Sequence, residues 1–208
     1  MNKKLSVLIL LGFAMPLCAR AQTNAPVTAD QTVETIVCIR HGEKPPDGLG
    51  QLNCRGLNRA LALPDVLLKK FGMPEFIFAP NPTEKVHDKG GSYYYVRPLI
   101  TIEPTAIRCG LPVNTEFGFT DLHGLENELN KSQYQNATIF VAWEHLMLDD
   151  FAKNMLKDNG DNPHKVPYWK GSDYDTIFVF TITRHNGQKK FSFTIDHEGL
   201  DVLSDNCP

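Results

Sequence analysis

Arg40 and His41 follow directly on the apolar run Thr35-Ile36-Val37-Cys38-Ile39, so a guanidinium and an imidazole begin where a strand is predicted to stop. The run Ala137-Thr138-Ile139-Phe140-Val141-Ala142-Trp143 delivers Glu144 and His145 in the same way, and Arg97 opens a third segment just ahead of Pro98. In an open α/β sheet, ligands bind in the crevice beyond the carboxyl ends of the strands, which is where both pairs fall. A guanidinium engages two oxygens of an anion at once and keeps its charge near neutrality. Imidazole can be neutral near pH 7, and so can attack an electrophile or take a proton, once its other ring nitrogen is tied to an acceptor.

The elements that must position these groups are legible as alternating patterns. Apolar runs predict strands at 35–39, 75–79, 111–114 and 137–143, with β-rich segments at 176–183 and 190–195 joined through Asn186-Gly187, a hairpin signal. Helical spacing covers 57–71, where Pro64 is expected to break or restart the helix and Gly72 to end it. It continues over 98–108, 121–131 and 148–159, the last with Asp149 and Asp150 in its first turn. Strands alternating with helices predict a layered α/β/α sandwich with a mostly parallel sheet and the C-terminal hairpin as its antiparallel edge. Residues 83–95, with Gly90-Gly91 and Tyr93-Tyr94-Tyr95, are too many for a plain connection. They read as a substrate-facing loop or a surface excursion.

A bare Arg-His-Gly is a common tripeptide, but its setting is not. Arg40-His41-Gly42 follows a strand; Leu52-Asn53, Gly56, Arg59 and Ala60 open the next helix; Arg97 and Thr101 open a later one; the strand ending in His145 comes after. This order resembles the histidine phosphatase superfamily, also called phosphoglycerate mutase-like, across nearly the whole chain after its first residues. The segments 77–82, 97–113 and 140–145 are similar to an exported bacterial branch. The resemblance implies a phosphatase acting on phosphate monoesters through a phosphohistidine at His41. Arg40, Arg97 and His145 would hold the phosphoryl oxygens together with His41, without metal or other cofactor. A transferring phosphoryl group spreads charge over its equatorial oxygens, so an in-line nucleophile among fixed donors is most of what the reaction requires.

The proton for the leaving oxygen has two candidate sources. Glu144 beside His145 resembles the phytase-like branch, although there the acid follows the histidine; Asp121 resembles the acid of the mutase-like branch, and Glu144 is preferred. Arg59 stands where glutamine is common in the family, and Pro98 where a small residue is usual. Lys44 could extend the anion pocket or lie in solvent, the latter preferred; His164, His185 and His197 read as solvent-facing, and His123 with Glu126 lacks a third ligand for a metal. A phosphomutase and a catalytically silent module binding phosphate or a partner protein are the rival readings.

The basic head Asn2-Lys3-Lys4, the short apolar stretch 5–18 and Ala19-Arg20-Ala21 have the form of a signal peptide over 1–21. A lead-in at 22–31 then precedes one domain at 32–208, and the product is expected in the periplasm or secreted. Removing Lys3, Lys4 and Arg20 leaves 18 basic against 24 acidic residues, a formal charge of −6. That balance argues against a nucleic-acid partner and requires any anion site to be local; the small phosphorylated substrate is what the resemblance implies. No stable membrane insertion is expected after cleavage. Cys38, Cys54, Cys109 and Cys207 could form up to two disulfides in any of three pairings, with Cys38 equally well a buried small hydrophobe.

Overall fold

The computed structural model describes residues 31–208. The signal peptide expected at 1–21 lies outside the described residues, as does the lead-in except for Gln31, which already belongs to the first strand. The chain runs β1 (Gln31–Arg40), α1 (Cys54–Phe71), β2 (Phe76–Phe78), β3 (Lys85–Asp88), β4 (Gly91–Tyr94), α2 (Arg97–Cys109) and β5 (Val113–Asn114). It continues with α3 (Leu122–Leu129), β6 (Thr138–Trp143), α4 (His145–Asp158), β7 (Thr176–His185) and β8 (Gln188–His197). The main sheet has the order β5-β2-β6-β1-β7-β8, parallel through β5, β2, β6 and β1 and antiparallel at β7 and β8.

Alternation along the central strands divides the core in two. Ile36 and Cys38 of β1, with Ile139, Val141 and Trp143 of β6, face α3 and α4 through Leu125, Leu129, Leu148 and Phe151. Val37 and Ile39, with Phe140 and Ala142, face α1 and α2 through Leu63, Leu67, Ile102 and Ala106. Strands buried on both faces carry near-continuous apolar runs, which is why β1 and β6 stand out in the sequence. The expected α/β/α layering with an edge hairpin is therefore the architecture found. Asn186 and Gly187 both adopt positive φ, 49° and 75°, as the tight turn between β7 and β8 requires.

Four local expectations are corrected. Pro64 does not interrupt α1, although it removes a backbone donor; it is buried between Leu63 and Leu67, and that packing offsets a cost of about 3 kcal/mol. Residues 83–95 are not an irregular loop, because β3 and β4 pair as a separate two-stranded sheet with Asp88 opposite Gly91. Helix α4 starts at His145, three residues earlier than the apolar spacing suggests, because the Glu144 carboxylate accepts the Met147 N–H at 3.0 Å and caps it. Asp149 and Asp150 accordingly lie beyond the first turn, and Asp149 is buried, accepting the Trp169 N–H at 3.0 Å.

Of the four cysteines, Cys54 and Cys207 form a disulfide, while Cys38 and Cys109 are free and Cys38 is buried in β1. The bridge is one of several ties between the first turns of α1 and residues 198–207. Arg55 Nη2 donates to the Asp201 carbonyl, and Asn58 Nδ2 donates to those of Ser204 and Asn206 at 2.9 and 2.8 Å. Among the described residues no helix is long and apolar enough to cross a membrane, and no group of three His, Cys, Asp or Glu side chains is placed to hold a metal ion.

Candidate active site

Parallel pairing of β1 with β6 sets Arg40 opposite Trp143, and the His41 N–H donates to the Trp143 carbonyl at 3.0 Å. The residues that follow, His41 on one strand and Glu144-His145 on the other, therefore leave the sheet side by side. The chain after His41 is held close to α1: a Cβ on Gly42 would lie 2.8 Å from the Gly56 carbonyl oxygen, and one on Gly56 2.3 Å from that of Glu43. Neither position admits a side chain, which accounts for glycine at both. The Gly42 N–H donates to Thr101 Oγ1 at 2.9 Å, and that hydroxyl donates to the Arg97 carbonyl at 2.8 Å, tying the loop after His41 to the first turn of α2.

His41 is buried, with its Nδ1 2.7 Å from the Gly42 carbonyl. A carbonyl only accepts, so Nδ1 carries the proton and Nε2 keeps a free lone pair. Burial, followed by the nearby charge of Arg97 and then Arg40, holds the imidazole well below the usual histidine range. Tyr95 packs edge-on to the ring at 6.1 Å between centroids, and Tyr174 lies at 6.2 Å.

Both arginines are buried and both are anchored through Nη1. Arg40 Nη1 donates to the carbonyls of Asp173 and Gly171 at 2.7 and 2.9 Å, and its guanidinium lies 3.9 Å above the Tyr174 ring. Arg97 Nη1 donates to Asp88 Oδ2 at 2.6 Å and to the Gly48 carbonyl at 3.3 Å, with the Tyr95 ring 4.8 Å away. In each case Nε is buried and has no acceptor among the described residues. A buried cationic donor left unpaired is costly, so the pair marks a place for an anion.

His145 Nδ1 stands 2.5 Å from Glu144 Oε1, with both side chains largely buried. Burial pushes the Glu144 carboxyl up, but the His145 contact together with the N–H groups of Met147 and Leu146 outweighs it and holds the group below the ordinary glutamate value. Glu144 is thus an ionised acceptor. Asp121 is exposed, and its carboxylate accepts the Gly124 N–H at 2.9 Å as the cap of α3. Lys44 is exposed, with its Nζ 3.4 Å from Asp88 Oδ1.

Arg40, His41, Arg97, Glu144 and His145 are therefore one cluster, while Asp121 caps a neighbouring helix. Three features escaped the sequence. Asp88 of β3 reaches Arg97 from the hairpin, Tyr174 covers Arg40, and Arg59 is fully buried beneath the loop after His41. Arg59 pairs in bidentate fashion with Glu43, at 3.0 Å from Nε and 2.9 Å from Nη2, and its Nη1 pairs with Glu198. Its departure from the family's glutamine was the one available signal for that network. His164, His185 and His197 are exposed, as read.

No family model and no curated protein sequence matches the chain. Solved structures do. A protein described as mycobacterial hydrolase 2 is similar at 14% identity and TM-score 0.53, covering 79% of this chain and 89% of that one. A mycobacterial glucosyl-3-phosphoglycerate phosphatase in complex with inorganic phosphate is similar at 14% identity and TM-score 0.53, covering 78% of this chain and 95% of that one. SixA from Nakamurella multipartitia, provisionally described as a phosphohistidine phosphatase, is similar at 13% identity and TM-score 0.51, covering 79% and 96%. At such identities the likeness establishes the fold: this chain has the histidine phosphatase fold, as the resemblance in its motifs implied.

Proposed function

We propose that the protein is a histidine phosphatase that hydrolyses phosphate monoesters through a phosphohistidine at His41. The observation that carries this reading is the pair of buried arginines flanking His41, each anchored by Nη1 and each with an Nε–H lacking an acceptor among the described residues. A phosphoryl group supplies the oxygens those donors lack. His41 Nε2 attacks phosphorus in line while the ester P–O bond breaks, and the charge on the equatorial oxygens is met by Arg40, Arg97 and His145. Because the imidazole is already neutral near pH 7, no separate base is needed for the first step.

The leaving oxygen must gain a proton. We assign it to the Glu144–His145 pair as a unit: the Glu144 carboxylate accepts the Nδ1–H of His145, and the proton on His145 Nε2 passes to the departing alkoxide, Nε2 then regaining one from the water that cleaves the phosphohistidine. This changes the part expected of Glu144, from free acid to partner of the acid. Asp121, spent on capping α3, is left out. The Cys54–Cys207 bridge supports the further reading that the protein works in an oxidising compartment, after removal of residues 1–21.

The deciding test is hydrolysis of an aryl phosphate by the mature protein and by His41→Ala. The wild type is expected to turn over and to trap an acid-labile, base-stable phosphoenzyme; the variant is expected to lose at least about 10³-fold in kcat and to trap none. Equal rates in the two proteins would end the proposal in favour of a binding module.

A further inference from the structure

The hairpin formed by β3 and β4 does more than decorate the sheet. It projects Asp88, buried to 7% exposure, into the cluster around Arg97. One carboxylate oxygen accepts both Arg97 Nη1 at 2.6 Å and the Gly50 N–H at 2.9 Å; the other faces Lys44 Nζ at 3.4 Å. The Gly50 carbonyl in turn accepts the N–H groups of Val96 and Arg97, each at 3.2 Å. A Cβ on Gly50 would lie 2.0 Å from the Tyr94 carbonyl oxygen, so only glycine allows the hairpin to close on this loop.

We propose that Asp88 is a positioning residue for phosphoryl transfer, fixing the Arg97 guanidinium so that its unpaired Nε–H is presented to the phosphoryl oxygens. The inference rests on the phosphatase reading and deepens it. Arg40 and Arg97 make a contrast that explains the need. Carbonyls of the segment after Lys170 hold Arg40 with dipoles, whereas Arg97 stands at the first position of a helix, where the dipole repels a cation. A carboxylate at 2.6 Å offsets that repulsion, and the bond to Nη1 fixes the orientation of the planar group. The Tyr95 ring, delivered just after β4, packs both on the Arg97 guanidinium and against His41, so one hairpin supports the arginine from two sides.

A role in positioning separates from a role in merely bracing the hairpin through a double-mutant cycle on the full mature protein. Wild type, Asp88→Ala, Arg97→Ala and the double variant are assayed for kcat/KM on an aryl phosphate and for competitive inhibition by inorganic phosphate. Misplacement of a transition-state donor costs on the order of 10²-fold, so Asp88→Ala alone is expected to lose about that much and to weaken phosphate inhibition. In the Arg97→Ala background the same substitution is expected to cost no more than about twofold, because the group it positions is gone. An equal loss in both backgrounds, with phosphate inhibition unchanged, would show that Asp88 only holds the hairpin and would overturn the inference. If Asp88→Ala fails to fold by circular dichroism, Asp88→Asn enters the same cycle. A wild type that neither turns over nor binds phosphate overturns the phosphatase reading itself, and this inference with it; an active wild type with an additive cycle overturns this inference alone.

Discussion

Replacing Glu198 by glutamine tests the buried charge network under the loop that follows His41. Arg59 is a single guanidinium shared by two carboxylates, Glu43 and Glu198. Burial raises Glu43 too, but its bidentate bonds to Arg59 outweigh that and hold it below the usual range. Glu198 gets the remainder: burial, more than Arg59 can offset and reinforced by Asp175 and Glu43, pushes its carboxyl up to about 8. In the unfolded chain the same group ionises near the ordinary value of about 4.3. Its folded-state pKa is therefore raised, so its contribution to stability is complete below the unfolded value and is lost as pH rises through the folded one. Integrated between about pH 6.5 and about pH 8, the loss is on the order of 1–2 kcal/mol for this one carboxyl. Glu198→Gln keeps the shape and an acceptor for Arg59 but has no proton to lose. Urea unfolding of both proteins at the two pH values should show the wild type losing on the order of 1–2 kcal/mol relative to the variant. Parallel behaviour of the two, or a wild type that gains on the variant with rising pH, would refute the assignment of the proton to Glu198.

Other expectations concern the reaction and the disulfide. Because the folded-state pKa of His41 is lowered, chiefly by burial and then by Arg97, its neutral form persists as pH falls through the ordinary histidine value. The acid limb of kcat/KM should accordingly lie below about pH 6.5, and Arg97→Gln should move that limb upward while lowering the rate, as read from a pH–rate profile. A profile unmoved by the loss of that charge would count against the assignment of the limb to His41. Reduction of the Cys54–Cys207 bridge, which joins residues 153 apart, should cost about 2–4 kcal/mol, measured by urea unfolding with and without dithiothreitol. Cys54→Ser should show the same loss without the reductant and no response to it.

The fold was legible where burial acts on consecutive residues. β1 and β6 are enclosed on both faces, so each writes an uninterrupted apolar run, and the polar groups that begin where the runs end, Arg40-His41 and Glu144-His145, come with them. The turn at Asn186-Gly187 was readable because positive φ at two successive positions restricts the residue types that can occupy them. The start of α4 was hidden because its cap, Glu144, and its first residue, His145, are polar groups of the cluster and carry no apolar period. Asp88 and Glu198 left no local signal. Their partners lie in Arg97 and Arg59, and a pairing between isolated charges has no period to detect. Pro64 misled for the converse reason: its local penalty is visible in the sequence, whereas the packing that offsets it is tertiary.

The attachment of residues 198–207 to α1 sets an order of events. A polypeptide emerges amino end first, so the strand bearing Arg40 and the helix bearing Arg59 exist well before Glu198 and Cys207 do. Until those residues arrive, Arg59 has only Glu43 to pair with and Cys54 has no thiol at hand to join. The loop between β1 and α1 thus gains its full support only when residues 198–207 dock on α1, which makes a segment far along the chain the one that completes the floor beneath His41.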